Sequence, residues 1–274
     1  MQDHSNSGRI SWLRRAGLAG GIALALLASG AANAAEKIKL GVMGGAEEEI
    51  AEVAKKVAAR NGLDVELITF SDYAIPNAAL DAGELDANAF QHKPYLDAQI
   101  AARGYKIVPI GYTIVEPIGL YSRKVKAIGD LKPGAKIGIP NDPSNGGRAL
   151  NLLASNGLLT LKDGKGLTPS VLDIATNPKK LELIELEAAQ LPRALDDFDG
   201  AIINTDYAVN AGLTPAKDAL IQEPRDGNPY GNFIAARAKD KDRPALKTLV
   251  SAYQSQEVKD FLQTRFKGAI LPAW

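Results

Sequence analysis

The sequence predicts an α/β protein of two lobes, and three observations support this fold class. Short apolar runs alternate with segments of helical spacing, which is typical of parallel sheets joined by right-handed crossover helices. The alternation stops near residue 120 and begins again with a turn at residues 130–134 and a new strand. A last strand and two helices close the chain, and we expect them to return to the first lobe. The chain would then cross twice between the lobes.

The first half of the chain begins with a strand that is followed by an amphipathic helix. Ile50, Ala54 and Val57 fall on one helical face, and Asn61 followed by Gly62 is a stop signal for this helix. Glutamates in its first turn suit the positive end of the helix dipole. The remaining apolar runs and spacings predict strands at 38–43, 65–70, 87–90 and 106–115, and helices at 76–80 and 95–103.

The second half repeats this alternation. A polar loop at residues 141–147 leads into a helix on which Leu150, Leu153 and Ala154 are the apolar residues. A loop rich in Gly, Pro and Asn at residues 223–231 precedes the last strand. The other predicted elements are strands at 136–140, 181–186, 201–204 and 232–236, and helices at 191–197, 207–211, 244–254 and 256–266.

The N-terminal segment predicts export. Arg14 and Arg15 precede an apolar run at residues 16–28, and residues 32–34 (Ala-Asn-Ala) have the small side chains that a signal peptidase requires. We therefore predict a signal peptide at 1–34, a first lobe at 35–117 plus about 226–274, and a second lobe at about 118–225. An uncleaved N-terminal anchor is the alternative, and the paired arginines leave Sec and twin-arginine export both open.

Composition excludes several classes of function. The chain has 32 basic and 32 acidic residues, two histidines and no cysteine, so it lacks a basic surface for nucleic acid and has no thiolate for metal binding or catalysis. Without residues 1–34 the charges are about 29 basic and 31 acidic, and His92 is the only histidine left. No nucleophile motif accompanies His92. We expect no cofactor, no metal site and no enzymatic activity; an exported enzyme is the least favoured alternative.

Polar and aromatic side chains follow several predicted strands. In open α/β sheets ligands bind at the carboxyl ends of the strands, and lobe interfaces are favoured clefts. Each residue also has an ordinary interpretation: a solvated helix residue or a cap for the arginine and the asparagines, core packing for the aromatics, and a structural hydrogen bond for the histidine. The candidates, which come from both halves, are Tyr73, Phe90, His92, Asn145, Arg148, Asn204 and Asn232.

Six segments resemble the MetQ/NlpA family of methionine-binding proteins, in order and with family-length spacing. The resemblance covers essentially residues 38–274 and implies a two-lobe, type II-like periplasmic-binding-protein fold with the ligand cleft between the lobes. It also implies delivery of methionine to an ABC importer of the MetNI type. The segments are ITFSDYAIPN (68–77), DANAFQHKPYL (86–96), PNDPSNGGRAL (140–150), QLPRALDD (190–197), INTDY (203–207) and GLTPAK (212–217).

The family places all seven candidates at or near the ligand, which implies a role for each. Arg148 would bind the ligand carboxylate with two parallel hydrogen bonds and Asn145 would add a donor. Asn204 and Asn232 would accept from the ammonium group, and the aromatic candidates with His92 would line the thioether. Ligand stereochemistry stays open, as do another amino acid or a methionine-containing dipeptide. Many relatives carry a lipobox cysteine that is absent here, so we expect a soluble periplasmic monomer.

Overall fold

The computed structural model describes residues 36–274, and the predicted signal peptide at 1–34 lies outside the described residues. Within the described part of the chain, no helix is both long and apolar enough to cross a membrane. The elements up to residue 121 are β1 (Glu36–Met43), α1 (Ala46–Arg60), β2 (Leu63–Phe70), α2 (Pro76–Ala82), β3 (Ala87–His92), α3 (Lys93–Arg103), β4 (Ile107–Val115) and β5 (Gly119–Tyr121).

The rest of the chain adds a second set of strands and helices and then returns to the first set. Short strands that the sequence pattern does not predict, such as β7 and β8 below, lie in this part. The elements are β6 (Lys136–Pro140), α4 (Pro143–Ser155), β7 (Thr160–Leu161), β8 (Ile174–Thr176), β9 (Glu182–Leu186), β10 (Gly200–Ile203), α5 (Thr205–Asn210), α6 (Pro215–Asp218), β11 (Ala219–Gln222), β12 (Gly231–Arg237), α7 (Pro244–Tyr253), α8 (Gln256–Phe266) and β13 (Leu271–Pro272).

Two sheets organise the molecule. A six-stranded sheet has the order β13-β4-β12-β3-β1-β2, and a five-stranded sheet has the order β11-β5-β10-β6-β9. We call the six-stranded sheet with α1–α3, α7 and α8 the first lobe, and the five-stranded sheet with α4–α6 the second lobe. Each has its own apolar core: Ile50 and Ala54 of α1 pack in the first, and Leu150 and Leu153 of α4 pack in the second.

The sheets are mixed rather than wholly parallel. β1 runs parallel to β2 and β3, but β12 runs antiparallel to both β3 and β4. In the second lobe β10 is parallel to β6 and antiparallel to β5. The double crossing explains this direction. The chain leaves the first lobe after Val115, the last residue of β4, and returns to it at Gly231, which pairs with Val115, so β12 runs opposite to β4. The expectation of parallel neighbours therefore holds among β1, β2 and β3 and among β6, β9 and β10, and it fails for the pairs that involve β5, β12 or β13.

Two neighbouring segments carry the chain between the lobes, at residues 116–118 and 223–230. The backbone N–H of Glu223 donates to the carbonyl of Ile118 at 3.0 Å, and the N–H of Ile118 donates to Glu223 Oε2 at 3.1 Å. The Gln222 side chain donates to the carbonyl of Pro117 at 3.2 Å. The two crossing segments are therefore bound to each other where the lobes meet.

The helix predicted at 191–197 is absent. A 3₁₀ turn at Ala188–Gln190 is followed by successive turns, with hydrogen bonds such as Asp197 N–H to the Ala194 carbonyl that span three residues. Leu191, Leu195 and Phe198 are nevertheless all buried. The helical spacing therefore predicts correctly that these apolar residues are buried, although tight turns rather than a helix bury them.

Candidate functional site

A cavity lies between the lobes at the carboxyl ends of β2, β3 and β10. Its volume is about 20 Å³ in this closed arrangement, room for about one water molecule, so an amino acid can enter only if the lobes separate or lining side chains move. All seven candidates from the sequence are among the residues that line it. The lining is Tyr73, Phe90, Gln91, His92, Tyr95, Glu116, Asn145, Arg148, Asn204, Thr205 and Asn232.

Arg148 is the cation of this cavity, and it is already bound to a carboxylate. Its side chain is 3% exposed, and Nε and Nη2 donate to the two oxygens of Glu223 at 2.8 and 2.6 Å. Nη2 also donates to the backbone carbonyl of Glu116 at 2.7 Å. The guanidinium carbon lies 4.2 Å from the ring centroid of Tyr230. Among the described residues Nη1 has no hydrogen-bond partner, so its N–H groups are the donors that a ligand anion would meet.

His92 is neutral and joins the two lobes. Burial, and secondarily the charge of Arg148, lowers the pKa of His92 to about 3. Nδ1 accepts from the backbone N–H of Tyr95 at 3.2 Å, at the N-terminus of α3. In a neutral ring Nε2 must then carry the hydrogen, and it donates to Asn145 Oδ1 at 3.2 Å. His92 therefore positions an amide of the second lobe.

Three asparagines surround the polar part of the cavity. Asn145 Oδ1 also accepts from Asn204 Nδ2 at 3.0 Å, and Asn145 Nδ2 donates to Asp142, the N-cap of α4, at 2.9 Å. Asn204 Oδ1 is buried and, within the described chain, has no hydrogen-bond partner. Asn232 Nδ2 donates to Glu47 Oε1 and to the Phe90 carbonyl, both at 3.3 Å. Asn204 thus presents an acceptor, whereas the carbonyl of Asn145 is already occupied.

Glu116 is the most important lining residue that the sequence candidates omit. It lies in the first crossing segment, it is 8% exposed, and its Oε1 has no hydrogen-bond partner among the described residues. One signal was available: Glu116 is the single charge in the apolar run TIVEPIGL at residues 113–120. A lone carboxylate after a predicted strand would have justified including it. Gln91, Tyr95 and Thr205 also line the cavity and carried no comparable signal.

Three aromatic rings in the cavity lining pack against one another. The ring centroids of Tyr73, Phe90 and Tyr95 are each 5.9 Å from the other two, in tilted or edge-to-face arrangements. Tyr207 of the second lobe lies 4.9 Å from Tyr73. Such rings offer an apolar, polarisable wall that favours an aliphatic or sulfur-containing group.

Three buried carboxyl groups lie at the junction of the lobes. Burial raises the pKa of Glu47 and of Glu116 well above the ordinary range, and the neighbouring acids raise both further. Burial also raises the pKa of Asp206 to about 6, although the Tyr73 hydroxyl donates to its Oδ1 at 2.7 Å. Burial and mutual repulsion therefore favour the protonated forms of Glu47 and Glu116, whereas Asp206 is protonated only below about pH 6.

Further hydrogen bonds hold the two lobes against each other. Asn210 at the end of α5 accepts from the Ala46 N–H at 3.0 Å and donates to the Gly44 carbonyl at 2.8 Å. The Tyr207 hydroxyl donates to the Ser71 carbonyl at 3.4 Å. Together with the bonds from His92 and Tyr73, these contacts keep the cleft closed around the cavity.

Comparison with known proteins gives consistent results. The model of the family described as NlpA lipoprotein matches residues 38–274. The chain is 55% identical over 240 residues to the D-methionine-binding lipoprotein MetQ of Yersinia pestis, covering 86% of this chain and 88% of the relative. A nutrient-binding protein from Burkholderia cenocepacia, solved bound to methionine, has a TM-score of 0.85 and 54% identity over 86% of this chain and 100% of that one. The crystal structure of the methionine-binding protein MetQ also has a TM-score of 0.85, with 53% identity over 87% and 98% of the two chains.

Proposed function

Because the chain belongs to the NlpA lipoprotein family, we propose that it is a solute-binding protein that captures methionine between its lobes and delivers it to an ABC importer. It is a substrate-binding protein rather than an enzyme, as are the methionine-binding relatives that it matches. Residues 35–117 with about 226–274 form one lobe in this proposal, and about 118–225 form the other. Capture is a population shift, in which the ligand favours the closed arrangement because only there do both lobes contact it.

One observation carries the proposal: the polar groups left unpaired in the cavity complement the two charged ends of an amino acid. Arg148 Nη1 is the unpaired donor and suits a carboxylate. Glu116 Oε1 and Asn204 Oδ1 are buried acceptors without partners among the described residues, and they suit an ammonium group. Asn232, from the first lobe, also lines the cavity, and we assign its side-chain carbonyl to the same ammonium group.

The aromatic side of the cavity supports a thioether side chain. Tyr73, Phe90 and Tyr95 line the cavity together, and His92 adds a neutral ring to them. Sulfur gains about 0.3–1.5 kcal/mol from each aromatic contact. The wall has no cation or carboxylate of its own, so a charged ligand side chain would be desolvated without compensation.

The proposal includes a location and a partner. The chain has no cysteine, so acylation at a lipobox is not available to it. We propose that the mature protein begins near Ala35, is a soluble monomer in the periplasm, and docks on a membrane permease–ATPase complex of the MetNI kind. The soluble periplasmic fraction should contain the cleaved chain, whereas its recovery only with membranes would contradict this location.

Titration calorimetry with four ligands tests the function. L-methionine should bind tightly in a 1:1 ratio. Leucine should bind far more weakly, because it lacks the sulfur and the unbranched shape. Comparison with D-methionine measures how much the affinity depends on stereochemistry. Glycyl-methionine tests the dipeptide alternative, since its peptide bond displaces the ammonium group from Glu116 and Asn204. Absence of binding to L- and D-methionine, with tight binding of leucine or of the dipeptide, would contradict methionine as the ligand.

A further inference from the structure

We propose that Glu223 is a positioning residue whose carboxylate makes Arg148 selective for the ligand's carboxylate. This inference rests on the proposed function, because it assigns a role in recognising one end of the amino acid. Glu223 does not line the cavity, and it lies 75 residues from Arg148 in the sequence. Its action on the ligand would therefore be indirect, through the guanidinium.

The geometry of the Arg148–Glu223 pair fixes the guanidinium. Glu223 accepts from Nε and Nη2, so it occupies one whole edge of the guanidinium in a bidentate arrangement. The Glu116 carbonyl takes a further Nη2 hydrogen, and the Tyr230 ring covers one face of the group. These contacts fix the plane of the guanidinium and leave Nη1 as its nitrogen without a hydrogen-bond partner among the described residues. An anion therefore meets a preoriented donor rather than a mobile cation.

Groups from both crossing segments hold the Glu223 side chain in place. Its Oε2 accepts from the Ile118 N–H and from Asn228 Nδ2, both at 3.1 Å, and its backbone N–H donates to the Ile118 carbonyl. Ile118 belongs to the first crossing segment and Glu223 with Asn228 to the second. Arg148 comes from α4 in the second lobe, but its orientation is set by the two crossing segments, which together we call the hinge between the lobes.

The charges of Arg148 and Glu223 neutralise each other. Both side chains of the pair are buried, at 3% exposure for Arg148 and 9% for Glu223, so each neutralises the other in a medium of low polarity. A guanidinium neutralised in this way is a weak general attractor of anions. Selectivity for a carboxylate must then come from the direction of the Nη1 hydrogens, which is the property that Glu223 controls.

A double-mutant cycle tests this inference by calorimetry with L-methionine. Glu223→Gln replaces one accepting oxygen with an N–H₂ donor that cannot accept from Arg148, so we expect an affinity loss of about tenfold. In the Arg148→Lys background the cation has rotating donors that need no fixed plane, so the same change should cost less than about twofold. Asp226→Asn, an exposed acid on the same crossing segment, is the matched control and should leave affinity unchanged.

The outcomes separate the two proposals. An equal loss in both backgrounds would mean that Glu223 only stabilises the hinge, and no loss in the Arg148 background would remove its role altogether; either result overturns the inference. If Glu223→Gln does not fold, Glu223→Asp, which keeps the charge but withdraws it by one methylene, takes its place in the cycle. Failure of the unchanged chain to bind methionine would contradict the proposed function itself, before any variant is measured.

Discussion

The two lobes contribute different chemistry to one cavity. The first lobe supplies aromatic and neutral side chains, among them Phe90, His92 and Asn232. The second lobe and the crossing segments supply Arg148, Glu116 and the carboxylate behind the arginine. We infer that the first lobe recognises the side chain of the ligand and gives one acceptor, Asn232, to its ammonium group, whereas the second lobe and the crossing segments supply the other groups that recognise its charged ends.

The difference has an energetic basis. Phe90 and Tyr95 belong to the apolar cluster that both lobes share, so the wall is fixed by core packing whether or not a ligand is present. The charged side instead contains acceptors that stay unpaired until a ligand arrives. Each unpaired buried acceptor costs about 1–3 kcal/mol, and a ligand that pairs it removes that cost. Pairing of these acceptors by the ligand therefore favours the closed arrangement more than contact with the aromatic wall does.

The largest effect is expected from removing the cation of the second lobe. Arg148→Ala should lower methionine affinity by at least about 100-fold, because the carboxylate loses its donor. It should also lower the free energy of unfolding by about 3–5 kcal/mol, because Glu223 is left as a buried, uncompensated charge. Calorimetry and thermal unfolding measure the two effects separately.

A double variant distinguishes these two roles of Arg148. Arg148→Met combined with Glu223→Gln removes both charges while keeping most of the volume, so stability should recover by several kcal/mol whereas affinity should not. Unchanged affinity in Arg148→Ala would contradict the assignment of the carboxylate to the second lobe. Recovery of affinity in the double variant would contradict it equally.

The next effect concerns the acid where the lobes meet. Burial raises the pKa of Asp206 from 3.8 to about 6, so the folded protein keeps a proton that the unfolded chain loses between these values. The associated stability is fully present below pH 3.8 and is lost as the pH rises to about 6. Relative to Asp206→Asn, which has no carboxyl to ionise, the unchanged chain should lose up to about 3 kcal/mol across this window.

Chemical unfolding at a series of pH values measures this difference in stability. Asp163→Asn, at an exposed site in the second lobe, is the control and should follow the unchanged chain. A stability difference between the Asp206 variant and the unchanged chain that stays constant from pH 4 to 6 would mean that Asp206 is ionised in the closed structure. The junction would then carry more negative charge than we infer.

The smallest effect is expected in the first lobe. Asn232→Ala should weaken methionine binding by about tenfold through loss of one acceptor for the ammonium group. Asn61→Ala, at the end of α1 in the same lobe, is the matched control because its amide donates only to the Val57 carbonyl, at 3.1 Å. If thermal stability falls in Asn232→Ala while affinity does not, the residue is structural, and recognition of charge belongs wholly to the second lobe and hinge.

Much of the fold could be predicted from the sequence because the buried apolar residues of the longer helices and strands recur at regular spacing. The face of α1 that contains Ile50, Ala54 and Val57 is buried in the first core. Very short strands such as β7 and β13 leave no such trace, since two residues cannot display a period. The direction of β12 was also hidden, because antiparallel pairing here depends on where the chain re-enters the lobe.

The site could be predicted in part for a similar reason. Six of the seven candidates lie in the motif segments, Asn232 lies near the start of β12, and all seven line the cavity. The sequence does not show that the best edge of Arg148 is taken by Glu223, because a contact between residues 75 positions apart has no local signature. Nor does it show which acceptors stay unpaired, which depends on the tautomer of His92 and on the bonds of Asn145.

The contact between Asn210 and the turn after β1 has a consequence for sequence variation. Gly45 has φ +92°, a backbone conformation that side chains rarely adopt, and a Cβ there would overlap the Asn210 amide. Any other amino acid at position 45 would push against Asn210 and so separate the lobes, although Gly45 itself does not line the cavity. In a library of random substitutions, position 45 should therefore score with the cavity residues in a growth selection for uptake, although it contacts no ligand.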